Sequence, residues 1–164
     1  MAPTMVATDT PSASLIWERA YPLLCGVVAG GAILFFWPGG YLFAEAKHWE
    51  LNKLFDTGFD FSAVATSFLF TFYTFVVTAE RGFISRMRLS LAFAMLIEYT
   101  VIALILGTAL AASSLVLAVV GPKPAVNWDV ATFLWAGWSF VAAWTLAAFF
   151  RTTILFIAFA SADA

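Results

Sequence analysis

The stretch that decides the fold is "AFAMLIEYTVIALILG", residues 92–107, in which one carboxylate, Glu98, interrupts a run that otherwise reads as a membrane-spanning helix. Crossing about 30 Å of hydrocarbon takes roughly 20 apolar helical residues. The rest of the chain has the same character. Of 164 residues, 63% are apolar and 11% charged, where soluble domains carry about 45–50% and about 25%. Four segments are long and apolar enough to span, at 21–43, 61–79, 89–120 and 130–160. The expectation is an all-α polytopic integral membrane protein with four transmembrane helices. They form one domain over residues 20–160, after a disordered or interfacial segment over 1–19. No connection between segments is long enough for a soluble catalytic module.

The third and fourth segments, about 30 residues each, would reach about 45 Å at 1.5 Å per residue, more than the lipid core needs. Charge shows which parts are surplus. With four spans, one side carries Arg19, Arg81, Arg86, Arg88 and Arg151, and the other carries Lys47, Lys53 and Lys123 beside Glu45, Glu50, Asp56, Asp60 and Asp129. The excess of cationic residues marks the cytoplasmic side, so both termini are expected there, with the third and fourth helices extended on that side. Glu98 then lies at the depth of Arg151, and an ion pair between them at headgroup level is one reading of the opening stretch. The other is a carboxylate facing an ion path, because ionisable groups within a membrane are costly and mark function.

Aromatic residues fit this frame. Trp37, Tyr41, Trp49 and Trp128 flank one interface, while Trp17 and Tyr21 precede the first span at the other. "WPGG" (37–40) is expected to end or kink the first helix. "YLFAEAKHWELNKLFDTGFD" (41–60) is expected to hold a short amphipathic helix on the membrane surface, carried by Trp49, Leu51, Leu54 and Phe55. "GPKP" (121–124) makes the last turn.

On the second span Ser67, Thr71, Thr74 and Thr78 recur at steps of four, three and four, which places their hydroxyls on one helix face. Such a stripe either lines a pore or path in an oligomer or bonds its own helix or a neighbour. Small residues offer faces for close helix packing: Gly26 and Gly30 on the first span, Ala103, Gly107 and Ala111 on the third, Ala143 and Ala147 on the fourth. Those faces serve within the chain or between copies.

Several chemistries are not expected. One histidine, His48, and one cysteine, Cys25, which reads as a small packing residue, leave no metal set, haem ligation or disulfide within a chain. No phosphate-binding glycine loop occurs. A net charge of −2 with dispersed basic residues argues against nucleic acid. Neither an enzyme nor a cofactor is expected, and the first nineteen residues lack the basic region of a secretory signal.

The order "LNKLFDTGFDFSAVATSFLFTFYTFVVTAER" (51–81), a basic turn, then "IEYTVIALILGTALAASSLVL" (97–117) resembles small multi-span bacterial membrane proteins associated with antiphage defence. The resemblance lies in hydropathy pattern rather than in a motif. It implies an effector of the bacterial inner membrane that self-associates and perturbs the bilayer when a separate sensor protein or nucleotide signals infection. The expected function is therefore a homo-oligomeric ion-permeation or membrane-perturbing protein, with Glu98 and Arg151 at the inner mouth. The alternative is a non-catalytic accessory subunit of a larger membrane complex.

Overall fold

The computed structural model describes residues 13–78, 91–122 and 129–161, and these form four antiparallel helices. They are α1 (Ala13–Ala46), α2 (Lys53–Thr78), α3 (Leu91–Val120) and α4 (Val130–Ser161). Each contains a segment long and apolar enough to cross a membrane: Arg19–Trp37, Lys53–Thr78, Phe93–Val120 and Val130–Ala158. Residues 1–12 and the basic "AERGFISRMR" connection lie outside the described residues.

Three boundaries differ from expectation. The first helix begins at Ala13, so residues 13–19 are helical and continuous with the candidate span that starts at Arg19. It also runs through Trp37–Gly40 to Ala46 without ending there. Proline removes one backbone donor, a loss that a helix tolerates where neighbouring groups or small adjustments of the adjacent turns satisfy the freed carbonyl. The expected surface helix around Trp49 is absent among the described residues. Residues 47–52 form a tight connection, and Leu54 and Phe55 already belong to α2, with Phe55 fully buried.

That connection is a Schellman cap. Trp49 N–H donates to the Ala44 carbonyl and His48 N–H to the Glu45 carbonyl, both at 3.0 Å. His48 takes the left-handed conformation (φ 53°) that the motif requires of its C′ residue. Phe43 and Trp49 pack edge to face with centroids 5.6 Å apart, supplying the apolar contact that accompanies such caps. Gly121, at φ 56°, ends α3 by donating to the Leu117 carbonyl at 2.8 Å. Asp129 starts α4, accepting from the Thr132 N–H at 3.1 Å and from its hydroxyl at 3.2 Å.

In space the helices follow the order α1, α4, α3, α2, each packed against the next. Three core layers hold them. Trp37, Phe55, Leu117 and Trp135 meet at the end carrying the α1–α2 connection. Leu69, Ala103, Leu106 and Ala148 fill the middle. Phe72, Val76 and Leu96 close the end nearer the termini.

Outside the core the usual order is reversed. Val28, Phe35, Val64, Phe75 and Val119 are exposed, while Ser62, Thr100, Ser114, Thr132, Thr145 and Thr152 are buried. Large side chains outside with small and hydroxylated ones between helices is the distribution expected where the surrounding solvent is lipid tail. Cys25 also lies on the exposed surface and does not pack in the core.

Candidate functional site

Two polar features stand out on this apolar scaffold, on different sides of it. The first is the outward face of α2. Phe55, Ser62, Ala65, Leu69, Phe72 and Val76 make its buried face, and at 100° per residue the hydroxyl stripe falls on the opposite side. Ser67, Thr71, Thr74 and Thr78 are all exposed there. Each hydroxyl donates to a carbonyl one turn back, Ser67 to Ala63, Thr71 to Ser67, Thr74 to Phe70 and Thr78 to Thr74, at 2.7–2.9 Å. Their donors are satisfied and their oxygens remain available as acceptors.

The same face extends beyond the stripe. Lys53, Asp56 and Asp60 project from it, also exposed, so polar groups follow one line along all of α2 except at Ala63 and Val64. At 1.5 Å per residue this line is about 39 Å long. The acidic part was readable from the same spacing, but Asp56 and Asp60 sit in a stretch that reads as loop until the helix is seen to start at Lys53.

The second feature lies toward the termini, between α1, α3 and α4. A cavity of about 190 Å³ is lined by Arg19, Glu98, Tyr99, Trp144 and Arg151, among others. Arg19 donates to the Glu98 carboxylate at 3.2 Å. Arg151, which is buried, places its guanidinium over the Tyr99 ring, 3.6 Å from the centroid, within reach of a cation–π interaction. Glu98 and Arg151 thus share a cavity, but Glu98 pairs with Arg19, which in the sequence counts only as one of the five arginines of that side. Because α1 starts at Ala13, Arg19 is already well inside the helix when it reaches the level of Glu98. No α2 residue lines this cavity, so the hydroxyl stripe and the charge cluster do not form one site within the chain.

The small residues lie at helix contacts. A Cβ on Gly26 would come within 2.9 Å of the Phe140 carbonyl oxygen, and one on Gly30 within 3.2 Å of that of Ala136, so both glycines seat α1 against α4. Gly107 faces the Thr66 hydroxyl, Ala103 is buried in the middle layer, and Ala111 is half-buried. Gly58, unremarked in the sequence, lets the Trp138 indole pass: a Cβ there would lie 2.5 Å from Cζ2 of that ring.

A seam between α3 and α4 was likewise missed. Trp138 Nε1 donates to Ser114 Oγ at 2.8 Å, Thr145 Oγ1 to the Leu106 carbonyl at 3.3 Å, and Thr152 Oγ1 to the Tyr99 carbonyl at 3.5 Å. The donors follow one another every seven residues, the repeat of an antiparallel helix pair in register. That spacing of polar side chains in an apolar helix was the available signal. Comparison with protein-family models, curated proteins and solved structures finds no match for the chain, so the functional reading rests on these residues and their geometry.

Proposed function

We propose that the chain is a multi-pass membrane protein that assembles with copies of itself around a cation path walled by the polar face of α2. The observation that carries this is the opposition of the two faces of α2: one buries apolar side chains in the bundle, while the other directs Asp56, Asp60, Ser67, Thr71, Thr74 and Thr78 away from it. A polar line turned toward lipid in a monomer becomes the wall of an aqueous path when several copies face one another. Hydroxyl oxygens offer acceptors to a hydrated cation, and carboxylates from several copies at one mouth favour cations over anions. Ala63 and Val64 form the apolar constriction in that path, where dewetting would gate it. The Arg19–Glu98 and Arg151–Tyr99 contacts brace α1 against α3 and α4 on the far side. The resemblance to antiphage membrane proteins supports an effector whose path opens on a signal from a separate partner.

The test is cation flux through purified protein in liposomes, combined with native mass spectrometry of the assembly. A homo-oligomer whose flux falls in Thr71→Leu and loses cation preference in Asp56→Asn/Asp60→Asn supports the assignment. Unchanged flux in both variants at normal incorporation overturns the α2 path. A monomer that is stable only with a fixed set of other membrane proteins would instead identify an accessory subunit.

A further inference from the structure

One cavity lies apart from the hydroxyl stripe and from the Arg19–Glu98 cluster. It holds about 640 Å³ between α1 and the start of α2, with α4 as its floor. Its deep part is apolar and aromatic, formed by Ile33, Phe36, Trp37, Trp135 and Trp138. Along α1 it runs from Ala32 to Ala44, about 18 Å at 1.5 Å per residue. Half of a bilayer's hydrocarbon is about 15 Å thick, so the groove has the length of one acyl tail from one leaflet.

The mouth is of a different chemistry. A second cavity of about 550 Å³ shares Tyr41, Trp49, Glu50, Leu51 and Lys53 with the first and adds Glu45, Asn52 and Asp56. Three carboxylates and one ammonium therefore stand where the apolar groove opens. Lys53 pairs with Glu50 at 2.8 Å, which leaves an excess of two carboxylates, Glu45 and Asp56, and makes an ammonium group a complement to this acidic rim. Tyr41 and Trp37 stack with centroids 6.2 Å apart beside it, and aromatic faces favour ammonium groups.

A third observation is independent of charge. Trp135 is 3% exposed and lines the groove, yet its Nε1 has no hydrogen-bond acceptor among the described residues. Buried indole N–H groups normally have an acceptor. Trp135 stands in the second turn of α4 beside Trp37, with ring centroids 6.3 Å apart, so the unmet donor lies in the aromatic wall of the groove.

We propose that this groove binds one glycerophospholipid with a zwitterionic, amine-bearing headgroup. One acyl tail lies along α1 against Trp37 and Trp138, the ammonium meets Glu45 and Glu50, and the phosphate meets Lys53, which pairs with Glu50 at 2.8 Å. An anionic headgroup without an amine would face the same three carboxylates and be disfavoured. The proposal requires that the helices span a membrane, and since Lys53 and Asp56 belong both to this rim and to the polar face of α2, its tests change Glu45, Glu50 and Ala32, which lie off that face.

The experiment is native mass spectrometry of the whole chain released from nanodiscs containing equal parts phosphatidylethanolamine and phosphatidylglycerol of the same acyl composition. The expected result is one retained phosphatidylethanolamine per chain, preferred by about tenfold over phosphatidylglycerol, which corresponds to about 1.4 kcal/mol. Glu45→Gln/Glu50→Gln, changed at exposed positions, should abolish the preference while retaining a lipid. Ala32→Trp, which fills the groove from its exposed wall, should remove the bound lipid. Equal retention of the two lipids by the native chain overturns the headgroup assignment, and the absence of stoichiometric lipid, or its persistence in Ala32→Trp, overturns the site.

Discussion

Trp138 reaches across the α3–α4 interface to donate its indole N–H to Ser114 at 2.8 Å, and Gly58 on α2 leaves the space that lets the ring lie there. Three helices thus meet at one polar contact. Interhelical hydrogen bonds in membranes contribute about 0.6 kcal/mol on average and up to about 1.7. Ser114→Ala and Trp138→Phe should each destabilise the fold by about that amount, and the double variant by less than the sum. Gly58→Ala should cost more, about 1–3 kcal/mol, because the added carbon meets the ring itself. Reversible unfolding in mixed micelles measures all four, and additive single variants would show that the contact does not couple the helices.

Gly26 and Gly31 lie five residues apart on α1 but have opposite surroundings. A Cβ at Gly26 would press on the Phe140 carbonyl, a backbone atom with little freedom to move, whereas one at Gly31 meets nothing within 4 Å. Gly26→Ala should therefore destabilise α1 docking by about 1–3 kcal/mol. Gly31→Ala should be neutral or slightly stabilising, since alanine favours the helix by about 1 kcal/mol over glycine. Proteolysis or thermal unfolding of the two variants distinguishes them, and equal effects would place the α1–α4 contact elsewhere.

These contrasts show what was legible in the sequence. The four helices and the hydroxyl stripe follow from hydropathy and from the 3.6-residue period, both local properties. Gly26 and Gly30 are legible as a packing pair from their four-residue spacing, but that they seat on α4, against Phe140 and Ala136, is not recorded within α1. Phe55 and Asp60 were misplaced for a related reason: the charges of residues 45–60 read as a loop, yet burial of Phe55 against Trp135, with ring centroids 4.3 Å apart, draws the start of α2 down into the bundle. The depth of Glu98 offers an ion pair with Arg151 as one of two readings, the other being an ion path; its contact with Arg19 depends on α1 beginning before Trp17.

Arg19 and Arg151 line one cavity in unlike states. The Arg19–Glu98 pair is about half exposed, with side-chain accessibilities of 57% and 48%, and such pairs contribute about 0–1 kcal/mol and weaken in salt. Glu98→Gln should lower stability by less than about 1 kcal/mol. Arg151, 7% exposed over Tyr99, contributes through packing and a desolvated cation–π contact of about 2 kcal/mol. Arg151→Gln and Tyr99→Leu should each therefore cost more than Glu98→Gln. Unfolding at low and high salt checks this: the Glu98 effect should shrink in salt and the other two persist.

Val64, 71% exposed, interrupts the polar face of α2 between Asp60 and Ser67. If copies of this face surround the cation path, the valines form a ring that expels water. Val64→Ser should then raise resting cation flux by about tenfold, equivalent to about 1.4 kcal/mol off a barrier, and Val64→Phe should lower it. Single-channel or liposome-flux recordings of the two variants decide; flux insensitive to both would show that Val64 faces lipid.

His48 holds φ at 53° because the Schellman cap of α1 demands it. For L residues with a Cβ, the left-handed conformation costs about 1–2 kcal/mol, a cost that glycine avoids while losing more backbone entropy on folding. His48→Gly should therefore stabilise the fold, by up to about 1 kcal/mol. His48→Val should destabilise it by more than that, since β-branched side chains suit positive φ least. The Phe43–Trp49 contact gives a second handle: Trp49→Ala removes the apolar clasp of the same cap and should add to the His48→Val loss less than its own separate cost. Thermal unfolding in detergent measures all three. A destabilised His48→Gly variant would mean that the histidine ring, which also lines the groove beside Trp49, contributes more through its contacts than its backbone costs.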